Sequence, residues 1–218
     1  MRIHLEIDAE NRKIPFDHLH LLVGTIHQWL GWNEEHGKVS LHSFSRIEGG
    51  LKLNESLIFD HPAQLFFSAF DSELIRKMVS GIQAGPEMFN GLKVREIIVQ
   101  ENPDLAEREL FYTGSPIFIK RRNGGEIEHI LYKDPRADQF LQETMQTKMK
   151  QVGLNDDSLV IQFNRSDERA GTKKITYKGV ENRASWCSVI IKGKPETKQF
   201  AWNVGLGNST GIGFGAIK

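Results

Sequence analysis

The fold is indicated most clearly by the stretch Gln64-Leu-Phe-Phe-Ser-Ala-Phe-Asp-Ser-Glu-Leu-Ile-Arg-Lys-Met-Val-Ser-Gly-Ile-Gln83. Its first seven residues are mostly apolar, as in a buried strand, and from residue 72 to 83 the apolar side chains recur at helical spacing. Asp71 or Ser72 supplies an oxygen that can cap the helix, and Gly85 with Pro86 ends it. The stretch therefore predicts a strand followed directly by an amphipathic helix.

The flanking segments complete a known order of elements. Residues 2–8 and 39–45 alternate between apolar and polar side chains as strands do, and residues 93–99 supply a last strand. Residues 16–30 carry one apolar stripe at helical spacing, after Pro15 and Asp17. The first half thus predicts the order β-α-β-β-α-β of a ferredoxin-like unit.

The second half repeats this order less cleanly. Residues 110–121 read as a strand and 136–150 as a helix, and strand-like runs follow at 158–164, 172–178, 186–192 and 198–204. We predict an α+β protein of two tandem ferredoxin-like (RRM-like) βαββαβ units that pack side by side, residues 1–110 and 111–218. The second unit is degenerate, with its second helix eroded and a basic β-hairpin enlarged.

Charge divides between the two halves, although the net charge of the whole chain is zero. Residues 1–110 hold 11 basic and 17 acidic residues, a net −6, and residues 111–218 hold 17 and 11, a net +6. Such an asymmetry creates a field that can hold a polyanion. The basic residues are concentrated in 158–198, where 9 stand against 4 acidic ones.

Composition excludes several other classes of protein. With 39% hydrophobic and 26% charged residues the chain has a globular core, and no apolar run of ~18 residues predicts a membrane span. The N-terminus lacks an apolar signal segment, and Cys187 is a single, buried structural thiol rather than part of a disulfide framework. A cytoplasmic location is expected.

Five of the eight histidines fall between His18 and His42, and they suit a metal-free reaction. In RNA cleavage by transesterification a base removes the 2′-proton, an acid protonates the leaving oxygen, and a cation stabilises the phosphorane. His36, His27 and Lys38 are residues of the types that these three roles need. No His-Glu-x-x-His or Cys-x-x-Cys spacing supports a metal site, and no cofactor is expected.

The segment Gly205-Leu-Gly-Asn-Ser-Thr-Gly-Ile-Gly-Phe-Gly215 is the strongest indication of function. Successive amides in such a loop form a concavity that favours phosphate. No Lys-Ser/Thr pair follows Gly211 and the spacing is not G-x-G-x-x-G, so neither a P-loop nor a dinucleotide site is indicated. A glycine-rich hairpin or bulge before a final edge strand is the alternative.

This segment resembles the glycine-rich signature of the repeat-associated (RAMP) superfamily of CRISPR systems. The whole chain is similar to family six of the CRISPR-associated proteins, the endoribonucleases that process precursor CRISPR RNA. Supporting stretches are Ile14-Pro15-Phe16-Asp17-His18, Ser115-Pro116-Ile117 and Tyr132-Lys133-Asp134-Pro135. The resemblance implies tandem ferredoxin-like folds and metal-independent cutting of the CRISPR repeat, with 2′,3′-cyclic phosphate and 5′-hydroxyl products.

The resemblance also assigns roles to particular residues. It implies a catalytic histidine just after the first helix, matched by His36, and a nearby lysine, matched by Lys38. Members often carry a tyrosine within that helix, where this chain has His27, so the general acid departs from the pattern. The residues expected to bind repeat RNA lie in the glycine-rich segment and the basic region, namely Gly205, Gly207, Asn208, Ser209, Thr210, Gly211, Gly213, Arg165, Arg169, Lys173, Lys174, Lys178, Lys192 and Lys194. Arg121 and Arg122 are weaker candidates.

Other functions stay open at this point. One is a non-catalytic RNA-binding scaffold subunit of a CRISPR ribonucleoprotein, and another is a metal-dependent hydrolase that uses the N-terminal histidines. The His36 and Lys38 pair favours activity over the scaffold, and the missing ligand spacings disfavour the metal enzyme. The partner expected first is CRISPR repeat RNA, and two further partner hypotheses are subunits of an effector complex and a second copy of the chain.

Overall fold

The computed structural model describes residues 1–31 and 39–218. The first half contains seven strands and two helices in the described part, namely β1 Arg2–Asp8, β2 Lys13–Pro15, α1 Leu19–Leu30, β3 His42–Phe44, β4 Leu51–Leu53, β5 Ser56–Ile58, β6 Ala63–Ala69, α2 Ser72–Ala84 and β7 Lys93–Gln100. The main antiparallel sheet has the order β3-β6-β1-β7. The β-α-β-β-α-β order predicted for this half is confirmed.

Local sequence explains why these helices begin, end and pack as they do. The predicted apolar stripe of α1 is buried, and so are Leu74, Ile75, Met78 and Ile82 on α2. The Asp71 carboxylate accepts a hydrogen bond of 2.8 Å from the amide of Glu73, which caps α2. A small sheet of β2, β5 and β4 was not predicted, because its strands are only three residues long.

The second half has the same plan in a reduced form. Its elements are β8 Leu110–Phe111, β9 Lys120–Asn123, β10 Glu126–His129, α3 Ala137–Gln151, β11 Val160–Phe163, β12 Gly171–Tyr177, β13 Val180–Trp186, β14 Val189–Lys192 and α4 Pro195–Val204. The sheet order is β11-β14-β8, and β9–β10 and β12–β13 form two hairpins. Tyr112 and Lys218 exchange backbone hydrogen bonds of 2.8 and 2.7 Å beside β8, in the place that β7 takes in the first unit.

Some predicted elements of this half are wrong. Residues 110–121 form strands only at their two ends, β8 and the start of β9. Residues 198–204 were expected to form a strand, but they belong to helix α4, which is the second helix of the unit, so this helix is not eroded. Pro195 occupies the first turn and Gly205 follows the last, which are ordinary helix boundaries. Phe200, Ala201, Trp202, Asn203 and Val204 are all buried, so no polar face interrupts the apolar pattern.

Two hydrophobic cores are present, and segments of the second half reach into the first. The first core consists of residues from the first half joined by Phe118, Ile175, Ala184 and Phe214. The second core is formed by residues 105–217. The boundary at residue 110 stays a prediction. No helix of the described residues combines the length and the apolar character that crossing a membrane requires.

Arg2 ties the two halves together at their junction. Its guanidinium lies between the rings of Phe66 and Trp202, 3.9 and 3.5 Å from their centroids. It donates hydrogen bonds to Ser68 Oγ at 2.6 Å, to the Trp202 carbonyl at 3.1 Å and to the Ile217 carbonyl at 2.7 Å. Burial, followed by the charge of Arg108, lowers the pKa of Arg2 to about 9.

Candidate nucleic-acid interface

The glycine-rich segment runs from the end of α4 through the junction of the two units. Its glycines allow close packing: a Cβ on Gly207 would lie 2.5 Å from the Phe118 carbonyl oxygen, and one on Gly213 would lie 2.6 Å from Leu19 Cδ1. Gly213 also has a φ of 89°, which side chains disfavour. These glycines are therefore explained by close packing, within the second unit at Gly207 and against the first unit at Gly213.

The tip of the segment faces outward. Asn208 and Ser209 are half-buried, and Ser209 adopts a left-handed φ of 62° before a short 3₁₀ turn at Thr210–Ile212. Within the described residues, the amides of Ser209, Thr210 and Gly211 have no hydrogen-bond acceptor. Consecutive amides in a left-handed then right-handed conformation form a nest that attracts anions.

This tip forms one wall of an open cleft of about 560 Å³, which we call the glycine cleft. The opposite wall carries Lys120 and Arg121 of β9. Val39 and Ser40 complete the lining, together with four residues of α3, namely Glu143, Thr144, Thr147 and Lys148. The Asn208 side chain accepts a hydrogen bond of 2.9 Å from the Lys120 amide, which fixes the tip to β9. The cleft is therefore lined by backbone amides, hydroxyls and cations, and by one carboxylate, that of Glu143.

A smaller opening continues the basic surface over the β9–β10 hairpin. It is lined by Lys120, Arg121, Arg122, Ile127 and Asn208. Arg121 pairs with Glu143 at 3.2 Å, so part of its charge is neutralised, whereas Lys120 and Arg122 are exposed. In the sequence, this basic surface is indicated by the three consecutive cations of residues 120–122, just before Gly124-Gly125, of which Arg121 and Arg122 were predicted only as weaker candidates.

The predicted catalytic residues fall partly outside the described residues. His36 and Lys38 lie in the segment 32–38, of which nothing is described, and Val39 and Ser40, which follow it, line the glycine cleft. His27 lies half-buried on α1. It is close enough to His42 for its charge to lower the pKa of that residue.

His42 lies on β3 directly beneath the glycine-rich segment. A Cβ on Gly211 would be 3.2 Å from His42 Nε2, and the imidazole packs on Phe67 with ring centroids 5.4 Å apart. Neither ring nitrogen has a hydrogen-bond partner among the described residues. Burial lowers the pKa of His42 to about 4, and the charges of His27 and Lys148 act in the same direction. His42 is therefore neutral near pH 7.

The basic hairpin β12–β13 lies at a second open cleft, of about 840 Å³, which we call the hairpin cleft. Lys173 and Lys174 line it from the hairpin, facing Arg46 and Lys52 from the first unit. The aromatic rings of Phe16 and Trp186 also line it. Lys174 pairs with Glu181, and Lys178 lies at the tip of the hairpin with a φ of 49°.

The remaining predicted cations lie in neither cleft. Each of them has a local partner: Arg165 pairs with Asp138 at 2.6 Å, Arg169 with Asp167 at 3.4 Å, and Lys192 with Glu109 at 4.0 Å. The Lys194 ammonium donates to the Asn155 carbonyl at 3.3 Å. The structure thus brings the glycine-rich tip together with β9 and brings Lys173 and Lys174 together with the first unit, but it does not gather all of the predicted cations in one place.

Residues 100–218, which are more than half of the chain, match the profile of the family described as CRISPR associated protein Cas6, C-terminal. The chain belongs to the Cas6 family. The family resemblance predicted from the sequence is confirmed, and Cas6 membership supports a role in CRISPR RNA processing. A search of curated proteins found no match.

Solved structures agree with this Cas6 assignment at the level of the fold. A Cas6-related protein from Pyrococcus furiosus has a TM-score of 0.86 and 22% identity, over 100% of this chain and 97% of that one. A RAMP protein described as binding different RNA substrates has a TM-score of 0.83 and 21% identity, over 100% and 98%. Thermus thermophilus Cse3, bound to an RNA representing a pre-cleavage complex, has a TM-score of 0.52 and 10% identity, over 100% and 97%.

No metal centre is apparent in the part of this Cas6 protein that the structure describes. Among residues 1–31 and 39–218, no three His, Cys, Asp or Glu side chains are grouped so that they could hold a metal ion. Two of the histidines, His18 and His42, are buried. His18 Nδ1 lies 2.8 Å from the Pro15 carbonyl oxygen, which gives that ring a structural partner.

Proposed function

We propose that this Cas6 family member is a metal-independent endoribonuclease that cleaves CRISPR repeat RNA within precursor transcripts. A ribose 2′-hydroxyl attacks the adjacent phosphorus, and the products carry 2′,3′-cyclic phosphate and 5′-hydroxyl ends. The observation that carries this proposal is the glycine cleft. Its walls carry cations and amides that have no acceptor among the described residues, and Val39 and Ser40, just after the predicted catalytic segment, line it.

The catalytic roles follow from the residue types. His36 acts as the base that removes the 2′-proton, His27 as the acid for the leaving 5′-oxygen, and Lys38 as the cation for the phosphorane. The placement of α1 beside β3 supports the role of His27, because it brings this imidazole within electrostatic range of His42 under the glycine-rich segment.

The path of the RNA is proposed to use both clefts. In the glycine cleft the amides of Ser209, Thr210 and Gly211 and the side chain of Asn208 bind backbone phosphate, with Lys120 beside them. Gly205, Gly207 and Gly213 contribute by allowing the packing that places this tip.

In the hairpin cleft, Lys173 and Lys174 contact phosphates, and the rings of Phe16 and Trp186 offer faces on which bases stack. The predicted cations outside the clefts are proposed to contribute through the long-range field, and each is expected to have a small effect. They are Arg165, Arg169, Lys178, Lys192 and Lys194.

A second candidate function is a non-catalytic RNA-binding scaffold subunit. It is favoured by one similar structure, which is described as a RAMP protein that binds different RNA substrates. The glycine cleft would serve such a protein equally well, because phosphate binding there needs neither His36 nor His27. The two functions differ in whether the bound RNA is cut.

The decisive experiment is cleavage of a labelled CRISPR repeat RNA in excess EDTA. We expect one cut, which is lost when a 2′-deoxy nucleotide stands 5′ of the scissile phosphate. His36→Ala should slow cleavage by ~10²–10⁴ and His27→Ala by a similar factor, whereas the exposed His61→Ala should not. Cleavage of the deoxy substrate would contradict the mechanism, and tight binding without cleavage would establish the scaffold function.

The partners beyond RNA are also proposals. We propose that the protein forms a homodimer and meets subunits of a CRISPR effector complex. Light scattering of the purified protein, with and without repeat RNA, tests the first of these, since a mass of one chain under both conditions would exclude the dimer. Co-purification with effector subunits tests the second.

A further inference from the structure

Lys148 on α3 is a buried lysine with an unusual set of partners. Its side chain is 2% exposed, and no carboxylate of the described residues pairs with it. Instead Nζ donates to the Val204 carbonyl at 3.1 Å, to the Gly205 carbonyl at 3.1 Å and to Thr210 Oγ1 at 3.2 Å. An ammonium has three N–H donors, so these three oxygens use all of them.

The three oxygens come from both ends of the glycine-rich segment. The carbonyls of Val204 and Gly205 belong to the C-terminal end of α4, where the last carbonyls have no helical partner and the helix dipole attracts a cation. Thr210 belongs to the tip, and its hydroxyl lies 3.5 Å from the Ser40 carbonyl oxygen of the first unit. Lys148 thus links α3, the end of α4, the tip and, through Thr210, the opposite unit.

Stability alone is a poor reason for a lysine at this position. Burying a charge without an opposite charge is unfavourable, and an apolar side chain of the same length would avoid that cost, although it would leave the three oxygens without this donor. Burial lowers the pKa of Lys148 to about 7, which shows how strongly the site disfavours the ammonium. The lysine nevertheless is one of the four residues of α3 that line the glycine cleft.

We propose that Lys148 is a positioning residue for RNA binding. Its ammonium holds the end of α4 and the tip of the glycine-rich segment at the separation that presents the amides of Ser209 and Thr210 to phosphate. This inference rests on the proposed function of the glycine cleft, and it adds a residue that binds no RNA through its own donors, because all three are already used.

The proposal has a signature in pH. A neutral amine has two N–H donors, so its deprotonation removes one of the three hydrogen bonds, and RNA affinity should weaken as the pH rises through about 7. Among the described residues, the other titratable or charged groups at this site are His42 on β3, His27 on α1, Lys120 and Arg121 on β9, and Glu143 on α3. His42 is already neutral across this range, because its pKa is about 4.

The test compares Lys148→Met with Lys150→Met, which removes an exposed lysine from the same helix. Affinity for a fluorescent single-stranded repeat RNA is measured from about pH 6 to about pH 8.5, a range in which RNA phosphates and bases do not titrate. At about pH 6, Lys148→Met should bind about tenfold more weakly than wild type, and this ratio should become smaller as the pH rises through about 7 without reaching one, because the neutral amine keeps two of its donors. Hydrogen exchange of residues 205–215 should accelerate in Lys148→Met alone.

The outcomes separate this inference from the proposed function. Equal affinities of the Lys148→Met and Lys150→Met proteins would overturn the positioning role and leave the RNA cleft standing, even if exchange accelerates. Absence of RNA binding by the wild-type protein would overturn both. If Lys148→Met does not fold, as judged by thermal unfolding, the wild-type pH profile decides: an affinity that is flat from about pH 6 to about pH 8.5 overturns the inference.

Discussion

His42 makes the stability of this protein depend on pH in a way that the structure allows us to calculate. The imidazole is 3% exposed, it lies under Gly211, and neither nitrogen has a partner among the described residues. Protonating it would place a buried cation in the junction of the two units, near His27 and Lys148, and the backbone of Gly211 offsets this only in part. We therefore expect mild acid to destabilise the fold through this residue.

The size of the effect follows from the shift in pKa. Burial lowers the pKa of His42 from 6.5 to about 4, so the folded protein takes up this proton less readily than the unfolded chain does. The stabilisation is complete above pH 6.5 and is lost as the pH falls from 6.5 to about 4. At 1.36 kcal/mol for each unit of pKa, the loss amounts to about 3 kcal/mol.

Urea unfolding of the wild type and of His42→Leu, at a series of pH values from about 7 to about 4, measures this term. The free energy of unfolding of the wild type should fall by about 3 kcal/mol more than that of His42→Leu over this range. Comparing the two proteins cancels the contribution of His18, whose pKa burial also lowers. The exposed His61→Leu serves as a matched control and should behave as the wild type does.

Two results would refute the reasoning. The first is an equal acid destabilisation of the wild type and of His42→Leu, which would mean that the imidazole is protonated in the folded state at little cost. The second is a loss confined to pH values below about 4, where carboxylates rather than histidines titrate. Asp156 and Asp167, each with a pKa of about 2, belong to that lower range.

Three further predictions concern the junction and the RNA surface. Arg2→Met should lower the free energy of unfolding by about 3 kcal/mol, because it leaves without a donor the buried oxygens to which Arg2 donates hydrogen bonds. Urea unfolding measures this change, and a loss below about 1 kcal/mol would contradict the role of Arg2. Gly213→Ala should destabilise the fold because of its positive φ and its contact with Leu19. At the exposed Gly24 of α1 a Cβ meets nothing within 4 Å, so Gly24→Ala should raise stability by up to about 1 kcal/mol; equal melting temperatures of the two variants would refute this. Arg121→Gln should reduce the slope of log K for RNA against log salt by about 0.7, and Arg76→Gln on α2 should leave it unchanged.

Local sequence patterns account for most of the first unit. Strand β1, helix α1, strand β6 and helix α2 each carry their period over seven residues or more, and a period that long records which face is buried. The glycine-rich segment and the order of elements were enough to indicate the Cas6 family. Helix α4 was misread because Phe200, Trp202 and Val204 alternate as in a strand, although the helix is buried on nearly every side.

Function depended on contacts between residues that are distant in the chain. Lys148 carries no signal in the sequence, because it resembles any lysine on an amphipathic helix, yet folding places it 3.1 Å from the carbonyls of residues 204 and 205. Arg165 and Lys173 look alike as letters, but the first is paired with Asp138 and the second lines a cleft. Periodicity reports burial along one element, whereas the partner of a charge depends on which elements meet, and that is fixed only when the two units pack.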